Sequence, residues 1–219
     1  MVKVTSCAIA ERPATMRKKY MLWILLFGGL WGLSEALLGG WMYGAGMRQA
    51  APVVLAAVAF AILTVGRVYV PVAGSSTAIA ALAMLFKFLN EPFFACHLLA
   101  IFLLGAGYDV AYSLARGRGK PLIGLAGTYL GFALFAVIIT YVVRYSYWIS
   151  VGWPKVLRYV ALSGSIAAVC NVVIVPVADR LARRLLARAG RTAPVGNWAF
   201  RTACAATLAL WAFALIQQL

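Results

Sequence analysis

The chain is poor in acidic residues, with 5 Asp and Glu against 20 Lys and Arg in 219 residues. It contains 1 histidine, which excludes a zinc or haem site built from several histidines of this chain. The 4 cysteines have no metal-ligand or redox spacing, so we interpret them as small apolar residues. HExxH, GxSxG and Walker motifs are lacking as well, and the sequence therefore predicts no metal, no cofactor and no catalytic residue.

What the chain has instead is apolar sequence: 64% of its residues are hydrophobic and 11% are charged. A soluble domain does not need so much apolar surface, so the composition predicts an all-α polytopic membrane protein in the lipid bilayer. At about 20 residues per crossing, a bundle of six to seven transmembrane helices fits. The net charge of +15 does not indicate nucleic acid, because the basic residues lie between the apolar spans.

Seven spans are predicted, with Pro52, Pro92, Pro121 and Pro154 at or just before helix starts. The third is short and rich in small residues, so we expect neighbouring helices to bury it. The chain divides into a cytoplasmic N-terminal segment (1–20), a six-helix membrane core (21–177), a basic amphipathic cytoplasmic segment (178–197) and an additional C-terminal helix (198–219). The spans are 21–45, 52–71, 74–90, 93–115, 121–143, 155–177 and 198–218.

The basic residues predict the orientation. With the N-terminus in the cytoplasm, only Arg48, Arg144, Lys155 and Arg158 lie outside, and Lys87 lies within a span. All other Lys and Arg then lie inside, as the positive-inside rule requires. We therefore expect a protein of the prokaryotic cytoplasmic membrane with its N-terminus inside.

The first span carries a ridge of small residues and one acid. Gly28, Gly32, Ala36 and Gly40 recur every fourth residue, a spacing that lets another helix backbone approach closely. Glu35 lies beside this ridge, and an acid in hydrocarbon is costly enough to indicate a functional site. The span thus combines a predicted docking surface with a candidate polar site.

Several polar residues share the predicted outer half of the bilayer. Two interpretations compete: Glu35 and Lys87 form a structural ion pair, or they line an outward-facing pocket for a small solute. Aromatic residues lie above them and are typical of an interfacial belt or a pocket cap. Asp109 lies deeper, where it could cap a neighbouring helix or pair with a loop arginine. The candidate solute-binding residues are Glu35, Lys87, Asn90, His97, Trp41, Tyr43 and Trp148.

Two segments, GLWGLSEALLG (29–39) and KFLNEPFFACHLLAIFLLG (87–105), resemble those of S components of energy-coupling factor transporters and S-component-like membrane proteins. The resemblance implies a bundle of six helices that binds a vitamin or similar micronutrient on its outer side. It also implies that the ridge at Gly28, Gly32, Ala36 and Gly40 docks on a transmembrane coupling subunit. Partner ATPases would supply the energy, since this chain has no nucleotide site.

Two other functions remain open at this stage. The chain could be an accessory or assembly subunit of a membrane complex, acting through helix contacts. It could also be a membrane-embedded lipid or isoprenoid enzyme, with His97, Glu35 or Asp109 in acid–base roles.

The orientation yields a first testable prediction. A cysteine introduced at Ser150 should react with a membrane-impermeant reagent in intact cells, and one at Gly117 should not, because the two positions lie on opposite sides. The reverse labelling pattern would overturn the assignment of the outer half.

Overall fold

A computed structural model of the chain describes residues 14–86, 95–116 and 118–189, together with four single positions between 205 and 212. These residues form α-helices and two π-helical turns, and no strand occurs among them. The helices are α1 (Ala14–Gly44), α2 (Ala51–Tyr69), α3 (Ser75–Leu85), α4 (Ala95–Leu114), α5 (Lys120–Val137), α6 (Ser146–Val151), α7 (Trp153–Arg158) and α8 (Ser165–Ala189).

The architecture is that of an all-α polytopic membrane protein, as predicted. Within the described ranges, five helical segments are long and apolar enough to cross a bilayer. Of the third predicted span (74–90) the structure describes the part up to residue 86, in which α3 has 11 residues. The predicted seventh span at 198–218 lies outside the described residues except for those four positions. The five segments are Tyr20–Gly44, Ala51–Tyr69, Cys96–Leu114, Lys120–Val142 and Trp153–Arg188.

Proline at the first or second helical position begins three of these elements. Pro52, Pro121 and Pro154 stand there in α2, α5 and α7, where a missing N–H costs no hydrogen bond. This confirms three of the four predicted helix starts, and Pro92 lies outside the described residues. The segment between the predicted spans 121–143 and 155–177 is largely helical, because α6 and the start of α7 lie there and meet at Gly152, whose φ is +67°.

α3 packs between α1 and α4. Ile79, Ala80 and Ala83 are fully buried, which confirms that neighbouring helices enclose the described part of the third span. On one side the Cβ of an added side chain at Gly28 would lie 2.7 Å from Leu82 Cδ2. On the other side Gly105 of α4 approaches Ser76, with 2.9 Å between the corresponding Cβ position and the Ser76 carbonyl oxygen. Close backbone approach therefore holds this short helix inside the bundle.

The ridge on α1 is divided between two environments. Gly28 and Gly32 are buried against Leu82 and Phe86 of α3, in the same chain. Gly40 is exposed, and no atom lies within 4 Å of its Cβ position. A coupling subunit could reach Gly28 and Gly32 only if α3 moved away, so docking stays a prediction that applies first to the Gly40 end.

The last helical segment of the described ranges is longer than a bilayer crossing. The continuous helical segment Trp153–Arg188 has 36 residues, which is about 54 Å at 1.5 Å per residue against a hydrocarbon core of about 30 Å. The basic segment predicted to begin at 178 thus continues the transmembrane helix without a break. Ala178 and Ala182 are buried along this extension, whereas Leu181, Leu185 and Leu186 are exposed.

The two environments of the ridge predict opposite results for the same substitution. Gly32→Leu should destabilise the bundle by about 1–3 kcal/mol, because its side chain would overlap Phe86. Gly40→Leu, the matched control, should leave stability unchanged because its side chain meets open space. Thermal unfolding in detergent measures both. Equal stability of the two variants would contradict the packing of α1 on α3.

Candidate functional site

A cavity of about 1580 Å³ lies at the end of the bundle that holds Arg48. It is lined by α1, by the N-terminal turns of α2, by α4 and α5, and by the segment 145–166. Its volume exceeds the roughly 300–1,000 Å³ typical of small-molecule sites. Apolar side chains form much of its wall, among them Val53, Leu55, Ile101, Leu104, Leu162 and Ile166.

Four of the predicted solute-binding residues line this cavity: Glu35, Tyr43, His97 and Trp148. They come from α1, α4 and α6, which are far apart in the chain. Trp41 is 63% exposed and is not among the lining residues. The predicted contributors Lys87 and Asn90 lie outside the described residues. The fold thus brings together a subset of the polar and aromatic residues that were predicted from depth alone.

Polar contacts orient the acid and the imidazole. Trp31 Nε1 donates a hydrogen bond to Glu35 Oε1 over 3.2 Å, and both side chains are buried. The rings of Tyr43 and His97 stack with centroids 5.4 Å apart. An acid and an imidazole with fixed neighbours can supply directional hydrogen bonds in an otherwise apolar site.

An aromatic cluster forms another part of the wall. The Tyr159 ring lies 5.1 Å from that of Phe132, 5.6 Å from that of Phe135 and 5.3 Å from that of Trp148, centroid to centroid. Tyr159 begins the π-helical turn Tyr159–Gly164 that joins α7 to α8. Such turns occur frequently at functional sites because they redirect side chains within a helix. The sequence did not predict this turn or the role of Tyr159.

Three cations also line the cavity: Arg48, Lys155 and Arg158. The Lys155 ammonium lies 3.0 Å from the centroid of the Tyr147 ring and 5.0 Å from that of Trp148. Sequence reasoning used these cations only to assign an orientation. Their small number on the predicted outer side could have drawn attention to them, because few basic residues are predicted there.

The opposite end of the bundle holds a buried ion pair. Arg67 Nη1 lies 2.8 Å from Asp109 Oδ1, and the two side chains are 5% and 8% exposed. Asp109 Oδ2 accepts hydrogen bonds from the Thr77 backbone N–H over 2.7 Å and from the Thr77 hydroxyl over 2.8 Å. Asp109 therefore caps α3, as predicted, and pairs with an arginine of helix α2 rather than with a loop arginine.

The pair belongs to a wider network. The Arg67 guanidinium and the Lys120 ammonium lie over the ring of Tyr112, 4.5 Å and 4.7 Å from its centroid. Lys120 Nζ lies 2.9 Å from Asp179 Oδ1, and Asp179 also pairs with Arg183 over 2.8 Å. From the sequence, Arg67 contributes only to the charge bias that predicts the orientation, and Asp179 has no assigned role. The structure makes both of them links between helices.

The charged groups of this network, Arg67, Asp109, Lys120, Asp179 and Arg183, pair with each other and connect α2, α4, α5 and α8. Among the described residues, no three His, Cys, Asp or Glu side chains come together in a group that could hold a metal ion. The cavity is accordingly the candidate functional site. Comparison of the chain with protein families, with curated proteins and with solved structures finds no match.

The buried pair yields a prediction on stability. Asp109→Asn should cost about 3–5 kcal/mol, because it leaves the Arg67 charge buried without its counter-ion. Asp179→Asn, the comparison, should cost less, because its partners Lys120 and Arg183 are 17% and 58% exposed and water can solvate them. Unfolding in a mixed-micelle denaturant series measures both.

A double variant separates the charge from the packing. Arg67→Met with Asp109→Leu should be more stable than Asp109→Asn alone, because no unpaired buried charge remains. If the double variant were the least stable of all, the charge pair would not be the reason for the loss.

Proposed function

We propose that this chain is a membrane-embedded solute-binding protein whose site is the cavity at the Arg48 end. The observation that carries the proposal is the convergence of Glu35, Tyr43, His97 and Trp148 on one cavity with a largely apolar wall. Few polar groups in an apolar cleft are typical of small-molecule sites, where they orient the ligand and the apolar wall supplies burial. The π-helical turn at Tyr159 adds a second feature common in such sites.

We further propose that the protein is the solute-capture subunit of an importer for a vitamin or similar micronutrient. The resemblance of residues 29–39 and 87–105 to S components supports this, and so does the lack of a nucleotide-binding motif. In this proposal the cavity faces outwards in a prokaryotic plasma membrane, with the N-terminus inside. A coupling subunit and its ATPases supply the energy, and the coupling subunit contacts the exposed Gly40 end of the ridge.

The proposal predicts that gently purified protein retains a small molecule at close to one equivalent, measured by mass spectrometry of an organic extract. Gly40→Trp and Leu162→Trp should each lower the retained amount at least about tenfold, because both positions line the cavity and the new ring would occupy it. Val169→Trp is the matched control. It lies on the same continuous helical segment as Leu162, is 67% exposed and does not line the cavity.

The same preparation separates the alternatives. Copurified coupling and ATPase subunits support the importer, whereas a fixed large complex without them supports an assembly subunit. Turnover of a retained lipid or isoprenoid by the chain alone supports an enzyme. If wild type and all three variants retained the same molecules, the cavity would not be the binding site.

A further inference from the structure

We propose that the cavity takes an anionic amphiphile: a molecule with one acidic head group, carboxylate or phosphate, on an elongated apolar body. This inference rests on the proposed function and names the class of ligand for the same site. Its head group would contact Arg48, Lys155 and Arg158, and its body would lie along the aromatic and aliphatic wall.

The first observation is a set of cations with no counter-ion among the described residues. Arg48, Lys155 and Arg158 line the same cavity. Within the described part of the chain, the ion pairs join Arg67, Lys120 and Arg183 to Asp109 and Asp179, all at the opposite end. No described carboxylate lies within 4 Å of a nitrogen of the three cavity cations. An anion bound beside them would gain charge-assisted hydrogen bonds.

The second observation is that Lys155 has ring partners that leave its charge in place. Its ammonium is held over Tyr147 at 3.0 Å and beside Trp148 at 5.0 Å. A cation–π contact orients an ammonium but does not neutralise it. Arg158 follows three residues later on the α7 segment, and side chains at that spacing lie on neighbouring parts of a helix surface. The two cations are thus presented together towards one head group.

The third observation concerns the body of the ligand. Tyr159, Phe132 and Phe135 form an aromatic wall, and Leu162 and Ile166 continue it with about half of each side chain exposed. The cavity volume of about 1580 Å³ is larger than a compact polar solute needs. An extended apolar chain or ring system would bury the exposed parts of this wall.

The charge distribution also sets the orientation of the ligand. Glu35 lies nine residues before the end of α1 at Gly44, about 14 Å deeper at 1.5 Å per residue. The cations beyond the end of α1 attract an acidic head group to that end of the cavity. With its head near Arg48, the ligand extends its body towards the depth of Glu35.

The experiment uses the full chain in phosphatidylcholine nanodiscs and two fluorescent probes, dansyl-aminoundecanoic acid and its methyl ester. Empty nanodiscs give the background. Wild type should bind the acid at least about tenfold more tightly than the ester. The triple variant Arg48→Gln, Lys155→Gln, Arg158→Gln should lose that preference and bind the ester as wild type does. Arg144→Gln removes a cation that does not line this cavity, and it should keep the preference.

Leu162→Trp separates the two proposals. If acid and ester bind equally well and Leu162→Trp abolishes both, the cavity binds solutes but not through an acidic head, so this inference fails and the proposed function stands. If the triple variant keeps its preference for the acid, the three cations are not the contact and the inference fails. If neither probe shows binding that Leu162→Trp reduces, the inference fails as well.

Two sources of such a ligand are distinguished by a second arm. The protein is equilibrated in vesicles of phosphatidylcholine and phosphatidylglycerol, and the lipids that remain after purification are quantified. Enrichment of phosphatidylglycerol in wild type, lost in the triple variant, identifies a bilayer lipid as the ligand. Acid binding from solution without such enrichment identifies a free amphiphilic acid.

Discussion

The fold depends on one buried ion pair, Arg67 with Asp109. Its energetic demand is high, because a charge in a low-dielectric interior is tolerated only when it is paired and hydrogen-bonded. Asp109 of α4 accepts hydrogen bonds from the Arg67 guanidinium of α2 and from the backbone N–H and the hydroxyl of Thr77 at the start of α3. Three helices therefore meet at one carboxylate. Tyr112 and Lys120 extend the connection to α5 and, through Asp179, to α8.

This arrangement makes the two ends of the bundle physically different. At the Arg67 end, opposite charges and hydroxyl groups meet at hydrogen-bond distances. At the Arg48 end the helices line a cavity, and the Lys155 ammonium there contacts the Tyr147 and Trp148 rings, with no described carboxylate within ion-pair distance. Between α4 and α5 the backbones are in close contact at glycines. A Cβ atom added to Gly107 would lie 2.8 Å from the backbone nitrogen of Gly131. The helices are therefore closely packed in the middle of the bundle and at its Arg67 end, and the Arg48 end is left open.

Much of this was predictable from local pattern. Apolar runs of about 20 residues, with proline at their starts, identified α2, α4 and α5 to within a few residues. The predicted depth of each residue in the bilayer placed Glu35, Tyr43, His97 and Trp148 in one region, because the rise per residue is constant in a helix. The same reasoning included Trp41, which points away from the cavity region it was assigned to and is largely exposed. Depth does not specify the angle around the helix axis.

The sequence by itself determined the class of protein, the main helices and the scarcity of acids, because hydrophobicity, length and charge act locally along the chain. Only the tertiary structure decided what each helix face contacts. It paired Arg67 with Asp109, set Gly28 and Gly32 against α3, and gathered Arg48, Lys155 and Arg158 at one cavity. Those outcomes depend on the rotation and tilt of helices relative to each other. Rotation and tilt arise from contacts between residues far apart in sequence, which no local pattern contains.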